Sequence, residues 1–309
     1  MRALSPGPRL PDLIRRALAQ VGRLAAARRP PSAAGLGVLL GCLLLAAGAR
    51  AAEPAPLTFG VFPNLTARQI VTTYRPLADA LERRLQRRVV LFSARDFRTF
   101  VERTRHGDYD LVLTAPHLAW LARQDAGYRP LLKYAQPVRG LLVVRADSPF
   151  DAPAALRGRT IATADAIAVA VLATQDELAK HGLQPGLEYR TTDSGTHLNA
   201  VMQVVNGRAD AAMLGLHPYT LLPADLRPQL RVLAETASLS SLMYLTHPRL
   251  RDADAQALHD ALLDFAATPD GQAFMRRGGY GGFADVDGSE LHAFRRYALQ
   301  AQQMLRAPR

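Results

Sequence analysis

Along most of this chain, short apolar runs alternate with stretches whose apolar residues recur at helical spacing, a pattern that predicts strands and helices in turn. Leu57–Phe62 reads as a strand closed by Pro63-Asn64. Thr66 is placed to cap a long helix over Ala67–Arg87, in which Ile70, Leu77, Leu81 and Leu85 share a face. Strand Val89–Phe92, helix Asp96–His106, strand Leu111–Leu113 and helix Pro116–Ala126 continue the alternation, with Pro116 at a favourable first-turn position. Strand-like segments Arg129–Tyr134 and Gly140–Arg145 lead into a second series. That series predicts strand Thr160–Thr163, helix Ile167–His181 closed by Gly182, strand Leu187–Thr191, helix Thr196–Asn206 and strand Ala211–Leu214. Leu230–Ala234 and Leu242–Thr246 read as strands returning to the first series, and Asp252–Ala267, Pro269–Arg276 and Ser289–Leu305 as helices.

One motif occurs twice, 100 residues apart: Gly107-Asp108-Tyr109-Asp110 before Leu111-Val112-Leu113, and Gly207-Arg208-Ala209-Asp210 before Ala211-Ala212-Met213-Leu214. In each copy a glycine suited to a left-handed helix cap is followed by a fully apolar run, the signature of an αβ step in a parallel sheet. The expected class is therefore α/β, with two similar doubly wound lobes joined by a two-crossing hinge. The expected lobes are residues 52–138 plus 240–309, and residues 139–239. The crossings fall near Gln136–Leu141 and Glu235–Leu242.

The first fifty residues change the picture of charge and location. Residues 1–33 are rich in Arg, Pro and Ala, Ala34–Ala49 is apolar, and Ala49-Arg50-Ala51 has the form of a cleavage site, so residues 1–51 read as a signal peptide with a long basic start. About 16 apolar residues fall short of the ~20 that a spanning helix needs. The formal net charge of the 309 residues is +11, but residues 1–51 hold eight arginines against Asp12 alone, so the remainder carries only +4. That surplus gives no reason to expect nucleic acid as a partner. Cys42 is the single cysteine and lies in the apolar leader, which excludes disulfide, thiolate and cysteine-metal chemistry from residues 52–309. Leu39-Leu40-Gly41-Cys42 loosely matches a lipidation box, yet the apolar run continues past the cysteine.

Several further landmarks are Gly60-Val61-Phe62-Pro63, Tyr74-Arg75-Pro76-Leu77, Arg95-Asp96-Phe97, Gly158-Arg159-Thr160-Ile161-Ala162 and Asp193-Ser194-Gly195-Thr196-His197. With the two Gly-x-x-Asp motifs, in this order and spacing, they resemble the phosphonate- and phosphite-type periplasmic substrate-binding proteins of ABC importers, within the type II binding proteins. The resemblance runs from Leu57 to about Ala298. It implies a periplasmic, monomeric binding protein that closes over a small anion and delivers it to an inner-membrane permease, with no cofactor and no metal. Helix N-termini and hydroxyl groups would supply the donors.

Ligand contact is expected of Pro63 and Asn64 at the first strand's end, of Phe97, and of Thr114 and His117 in the turn Thr114-Ala115-Pro116-His117. The second lobe offers Thr163 and Asp165, then Ser194, Thr196 and His197, and finally His217 and Tyr219. The resemblance makes His197 the counterpart of a ligand-facing family histidine. The chain also departs from the family. Where phosphonate binders carry a Ser/Thr-rich turn, it reads Asp165-Ala166-Ile167-Ala168-Val169-Ala170, with no hydroxyl. Three hydroxyl donors fewer, at roughly 1.5–3 kcal/mol per charge-assisted bond, argue against tight phosphonate binding. Where aminoalkylphosphonate binders place carboxylates for the ammonium, the chain has His217 and the neutral Ser238–Ser241 segment.

Two other classes stay in view. A sensor subunit presenting ligand to a membrane histidine kinase would share every one of these features. An enzyme is disfavoured, because no Gly-x-Ser-x-Gly, His-Glu-x-x-His or Walker loop occurs and the eight histidines are dispersed. A zinc site would have to draw His117, His197 and His217 together across the cleft. Gly278-Gly279-Tyr280-Gly281-Gly282 follows a helix instead of a strand, so it reads as a flexible connector and not as a phosphate loop.

Overall fold

The computed structural model describes residues 55–307, and the leader and lipidation readings at residues 1–51 lie outside them. Strand β1 (Leu57–Val61), helix α1 (Ala67–Leu85), strand β2 (Val89–Phe92), helix α2 (Phe97–Arg105), strand β3 (Leu111–Thr114), helix α3 (Pro116–Ala126) and strand β4 (Arg129–Tyr134) come first. The chain then forms β5 (Gly140–Arg145), β6 (Thr160–Thr163), α4 (Val169–Ala179), β7 (Arg190–Asp193), α5 (His197–Val205), β8 (Ala211–Gly215), the short α6 (Leu216–Thr220) and β9 (Leu230–Glu235). It ends in β10 (Met243–Thr246), α7 (Asp252–Ala267), α8 (Pro269–Gly278), β11 (Phe283–Ala284), α9 (Glu290–Ala293) and α10 (Arg295–Arg306).

Two sheets result, in the orders β11-β4-β10-β3-β1-β2 and β7-β6-β8-β5-β9. In the first, β1 runs parallel to β2 and β3, whereas β10 is antiparallel to β3 and β4. In the second, β6 runs parallel to β7 and β8, whereas β5 is antiparallel to β8 and β9. The parallel core strands are apolar throughout, as strands covered on both faces must be: every residue of β3 and β8 is buried. Helices begin where the sequence can cap them. Thr66 and Gln69 form a reciprocal capping box at α1, and Asp96 accepts the Thr99 N–H at the start of α2.

The repeated Gly-x-x-Asp motif performs the same task in each sheet. Gly107 (φ +73°) and Gly207 (φ +69°) take the left-handed conformation that ends the preceding helix. Asp110 then donates its N–H to Thr58 O at 2.9 Å, while its Oδ2 accepts the Thr58 N–H at 2.8 Å. Asp210 repeats this on Thr160, at 2.8 and 2.9 Å. Each carboxylate thus staples the incoming edge of one parallel strand to its neighbour. The copies differ in support: Arg249 Nε donates to Asp110 Oδ1 at 2.6 Å, whereas Arg159 stands 3.9 Å from Asp210. Burial acts to raise the Asp110 pKa, but the donors from Thr58 and Arg249 outweigh it and hold the carboxyl below its ordinary value.

Four expectations need correction. Leu230–Ala234 does not return to the first sheet; as part of β9 it pairs with β5 in the second, and only β10 returns. The strand expected at Leu187–Thr191 forms at Arg190–Asp193 instead, because Gly186 (φ +81°) turns the chain and leaves Leu187 77% exposed. The helix expected over Ser289–Leu305 is broken at Phe294, whose buried ring sits between α9 and α10. Finally, the glycine-rich segment is no loose connector. Tyr280 is buried, its ring stacks 3.8 Å from that of Tyr134, and its hydroxyl pairs with that of Tyr74 at 3.0 Å. Gly279, Gly281 and Gly282 all have positive φ, and a Cβ on Gly278 would come within 2.0 Å of the Tyr280 ring, so glycines are required to seat it.

The chain crosses between sheets after β4 and after β9, and the crossings are tied together: Val138 and Leu239 exchange backbone hydrogen bonds of 3.0 and 2.8 Å. Such a pair of adjacent crossings defines a hinge axis.

Candidate functional site

A cavity of about 520 Å³ opens where the two sheets face each other. Its walls come from the carboxyl ends of strands on both sides, the usual place for ligand in open α/β sheets. Phe62 and Asn64 follow β1, Phe97 opens α2 and Ala115 follows β3. From the other side come Ala168–Ala170 at the start of α4, His197 at the start of α5, and Gly215–Pro218 where β8 passes into α6. The hinge adds Gln136–Val138, Ser241 and Leu242, and the segment after α8 adds Tyr280.

The polar groups in this wall are few and several lack partners. Among the described residues, Asn64 Oδ1, His197 Nδ1 and His217 Nδ1 are buried atoms with no hydrogen bond. Buried polar atoms are nearly always satisfied in native proteins, so three side chains with unpartnered atoms around one cavity set that cavity apart as a polar spot in an apolar wall. Burial pushes the His197 imidazole down to about 4, with His217 adding to the effect. Burial likewise pushes His217 to about 4, although the Gly278 backbone acts against it. Both rings are therefore neutral at pH 7, each with one N–H donor and one acceptor nitrogen. The Tyr280 hydroxyl lies 3.3 Å from His217 Nε2, joining the two sides of the cavity.

The first turn of α4 supplies a third kind of donor. Asp165 Oδ1 accepts the Ile167 N–H at 3.0 Å and Asp165 O accepts that of Ala168 at 3.0 Å, which shapes the turn entering the helix. Val169 and Ala170, the first two helical residues, line the cavity. N–H groups of a first turn have no partner within the helix and favour an anion.

Of the residues singled out from sequence, the structure gathers Asn64, Phe97, His197 and His217 around this cavity. The others lie outside its lining. Pro63 is buried beside Asn64, and Asp165 shapes the α4 turn. Thr196 caps α5 by accepting the Asn199 N–H at 3.1 Å, and the Ser194 hydroxyl is buried without a partner. Thr114 and Thr163 are buried at their strand ends, the latter hydroxyl 3.5 Å from Thr192 O. Tyr219 packs against the second sheet's apolar cluster. His117 is fully buried and its Nε2 pairs with Ile167 O at 2.8 Å, bridging the lobes; burial pushes it to about 4. No group of three or more His, Cys, Asp or Glu among the described residues is arranged to hold a metal.

Tyr280, Leu242 and Met275 were missed by sequence reasoning. A tyrosine flanked by two glycines on each side was the available signal for the first, since so many glycines permit a close backbone fit around one large ring.

A second cross-lobe contact lies away from the cavity. Asp176 on α4 accepts the Tyr297 hydroxyl at 2.6 Å and pairs with Arg296, both from α10. Asp176→Ala is expected to shift the lobes toward an open arrangement, which would appear as a larger radius of gyration in small-angle scattering of the unliganded protein. An unchanged scattering curve would show that this clamp carries no part of closure.

Two sheets of this topology, a two-strand hinge and a cavity at the facing strand ends define a type II periplasmic binding protein. Residues 59–291, roughly three quarters of the chain, match the family model described as ABC transporter, phosphonate, periplasmic substrate-binding protein, and the chain belongs to that family. The family is one of transporter components that bind substrate, not of enzymes, and its place is the periplasm; no described helix is long and apolar enough to cross a membrane.

Solved structures agree on the fold. A binding-protein component of an ABC phosphonate transporter from Pseudomonas aeruginosa superposes with a TM-score of 0.73 at 17% identity, covering 81% of this chain and 87% of its own. PhnD1 from Prochlorococcus marinus, in complex with methylphosphonate, gives 0.73 at 13% identity over 81% and 99%. XAC2383 from Xanthomonas citri, bound to chloride ion, gives 0.65 at 22% identity over 81% and 99%.

Proposed function

We propose that this chain captures a small organic acid and hands it to the permease of an ABC importer. In this reading the acid's oxyanion sits between the first turn of α4 and the imidazoles of His197 and His217, with the Asn64 amide presenting its NH2 donors from the other lobe. The observation that carries the reading is that Asn64 from one lobe and His197 and His217 from the other, side chains able to donate a hydrogen bond without bringing a charge, line one cavity beside the first turn of α4. A ligand that touches both lobes binds the closed form better than the open form, and that difference drives closure. The neutral rings donate hydrogen bonds without adding charge, and the helix end supplies a partial positive charge, so the anion need not be met by a full cation. The methylphosphonate held by PhnD1 supports an oxyanion of this type.

The protein is proposed to act as a monomer, with residues 1–51 serving as a cleaved signal peptide and the hinge moving as the ligand arrives. The family places the chain in an importer in preference to the sensor alternative.

Titration calorimetry of the full chain with methylphosphonate, propylphosphonate, phosphite, sulfate and acetate tests the assignment. At least one phosphorus oxyanion is expected to bind, and His197→Ala or Asn64→Ala to weaken it by about tenfold or more, the loss of roughly one hydrogen bond to a charged group. Binding unaffected by both substitutions would place the anion elsewhere.

A further inference from the structure

The wall of the cavity has little in common with the needs of a bare ion. Phe62 and Phe97 meet edge to face with ring centroids 5.8 Å apart and line it together. Val138, Leu242 and Met275 add aliphatic and thioether surface. Among the described lining residues there is no Asp or Glu, and Arg276 is the single formal charge. The volume of about 520 Å³ lies within the range of ~300–1,000 Å³ usual for pockets that enclose larger organic ligands. An inorganic tetrahedral ion would leave most of that space to water held against apolar carbon.

Resting on the oxyanion reading above, we infer that the ligand carries an uncharged apolar substituent, of propyl size or larger, and that the cavity discriminates against an ammonium group at the same position. The argument is one of complementarity. An ammonium drawn from water into this wall would lose its hydration and find no carboxylate to replace it, a penalty that an alkyl or aryl group avoids. Burying that group against Phe62, Phe97 and Leu242 instead removes apolar surface from water on both sides. The replacement of the hydroxyl-rich turn by Ala168-Val169-Ala170 fits the same design, because these three apolar residues line the cavity at a helix start whose first N–H groups have no partner within the helix.

Propylphosphonate and 2-aminoethylphosphonate have the same number of heavy atoms and differ in the ammonium. Calorimetry on the full chain is expected to show propylphosphonate binding at least tenfold more tightly than 2-aminoethylphosphonate, and phenylphosphonate at least tenfold more tightly than methylphosphonate. Ser241 is buried and lines the cavity, and Ser241→Asp is expected to raise affinity for 2-aminoethylphosphonate while lowering it for propylphosphonate. A misfolded variant would not produce such a gain. Equal affinities across the series, or methylphosphonate as the tightest, would overturn the inference while leaving the oxyanion site standing. Absence of binding by every phosphonate and by benzenesulfonate would bring down the oxyanion reading and the inference with it.

Discussion

Acidification from pH 7 to about pH 4 is expected to remove roughly 6 kcal/mol of stability through two histidines alone, about 3 kcal/mol for each. His117 is 0% exposed and His197 5%, and burial drives both imidazoles from 6.5 to about 4 in the folded chain. Well above pH 6.5 both states hold these rings neutral, and the two histidines add no pH dependence to folding. Between 6.5 and about 4 the unfolded chain takes up protons that the folded chain cannot, so stability falls as pH falls; below about 4 the loss levels off. The upper part of the window, from 6.5 to about 5.5, lies above the range in which ordinary carboxylates titrate, and there the histidine contribution stands alone. His217 has a similarly low value but is only partly buried, unlike His117 and His197, so it is left out of the sum. Urea unfolding at half-unit intervals from pH 7 to 4 measures the slope, and His117→Gln should remove about half of it. A flat profile between pH 6.5 and 5 would contradict the neutral, buried state of both rings.

The second large effect concerns the repeated carboxylate. Asp110→Ala is expected to destabilise the chain by about 3 kcal/mol and Asp210→Ala by about 1 kcal/mol, although both occupy the same place in their motif. The Asp110 side chain is 8% exposed, holds two donors from Thr58 and is joined by Arg249, whereas that of Asp210 is 32% exposed and its arginine stands farther off. Removing the first leaves donors stranded in a dry place, and removing the second leaves them where water can reach. Because Arg249 is itself 43% exposed, its ion pair contributes little, and Arg249→Ala should reproduce under half of the Asp110→Ala loss. The Asp110 contribution is complete above the ordinary carboxylate range and disappears as pH falls below it, the carboxyl being held low. Denaturant midpoints for the three variants decide the matter. Equal losses at the two aspartates would show that burial does not set the strength of the staple.

Much of this architecture is legible in the chain because its strands are short apolar runs between polar helix starts. The boundaries of β2, α3 and α7 follow from local signals alone, such as Pro116 at a first turn and the acidic start of α7 at Asp252 and Asp254. Sheet membership is less legible. Nothing within Leu230–Glu235 says which of two sheets it joins, since that choice is made by β5, some ninety residues earlier. Leu187 illustrates the opposite failure, an apolar residue read as strand and found on an exposed turn beside Gly186.

Of the candidate residues that line the cavity, Asn64 is legible from its place after a strand, whereas Phe97, His197 and His217 come from the family resemblance. The hydroxyl-bearing candidates did not follow them, because Thr196 is occupied with its cap and Thr114 and Thr163 are buried at their strand ends beyond the cavity lining. Tyr280 escaped because its position depends on contacts with Tyr74 and Tyr134, 206 and 146 residues away along the chain. Aromatic packing over such separations leaves no mark in local periodicity.

The return of β10 to the first sheet also favours an order of assembly. Strands β5 to β9 span residues 140–235 without interruption, so the second lobe has all its parts once that stretch exists. The first lobe does not: β10 fills the gap between β3 and β4, α7 packs on α1, and the Arg84–Asp264 contact joins residues 180 positions apart. Bringing such distant segments together carries a large loop-closure entropy, which shrinks when the intervening chain is already compact. A second lobe already folded therefore shortens the closure that the first lobe needs. Until that closure is made, the strand edges and aromatic core of the first lobe remain open to solvent, the state in which a chain of this topology is most exposed to wrong pairing.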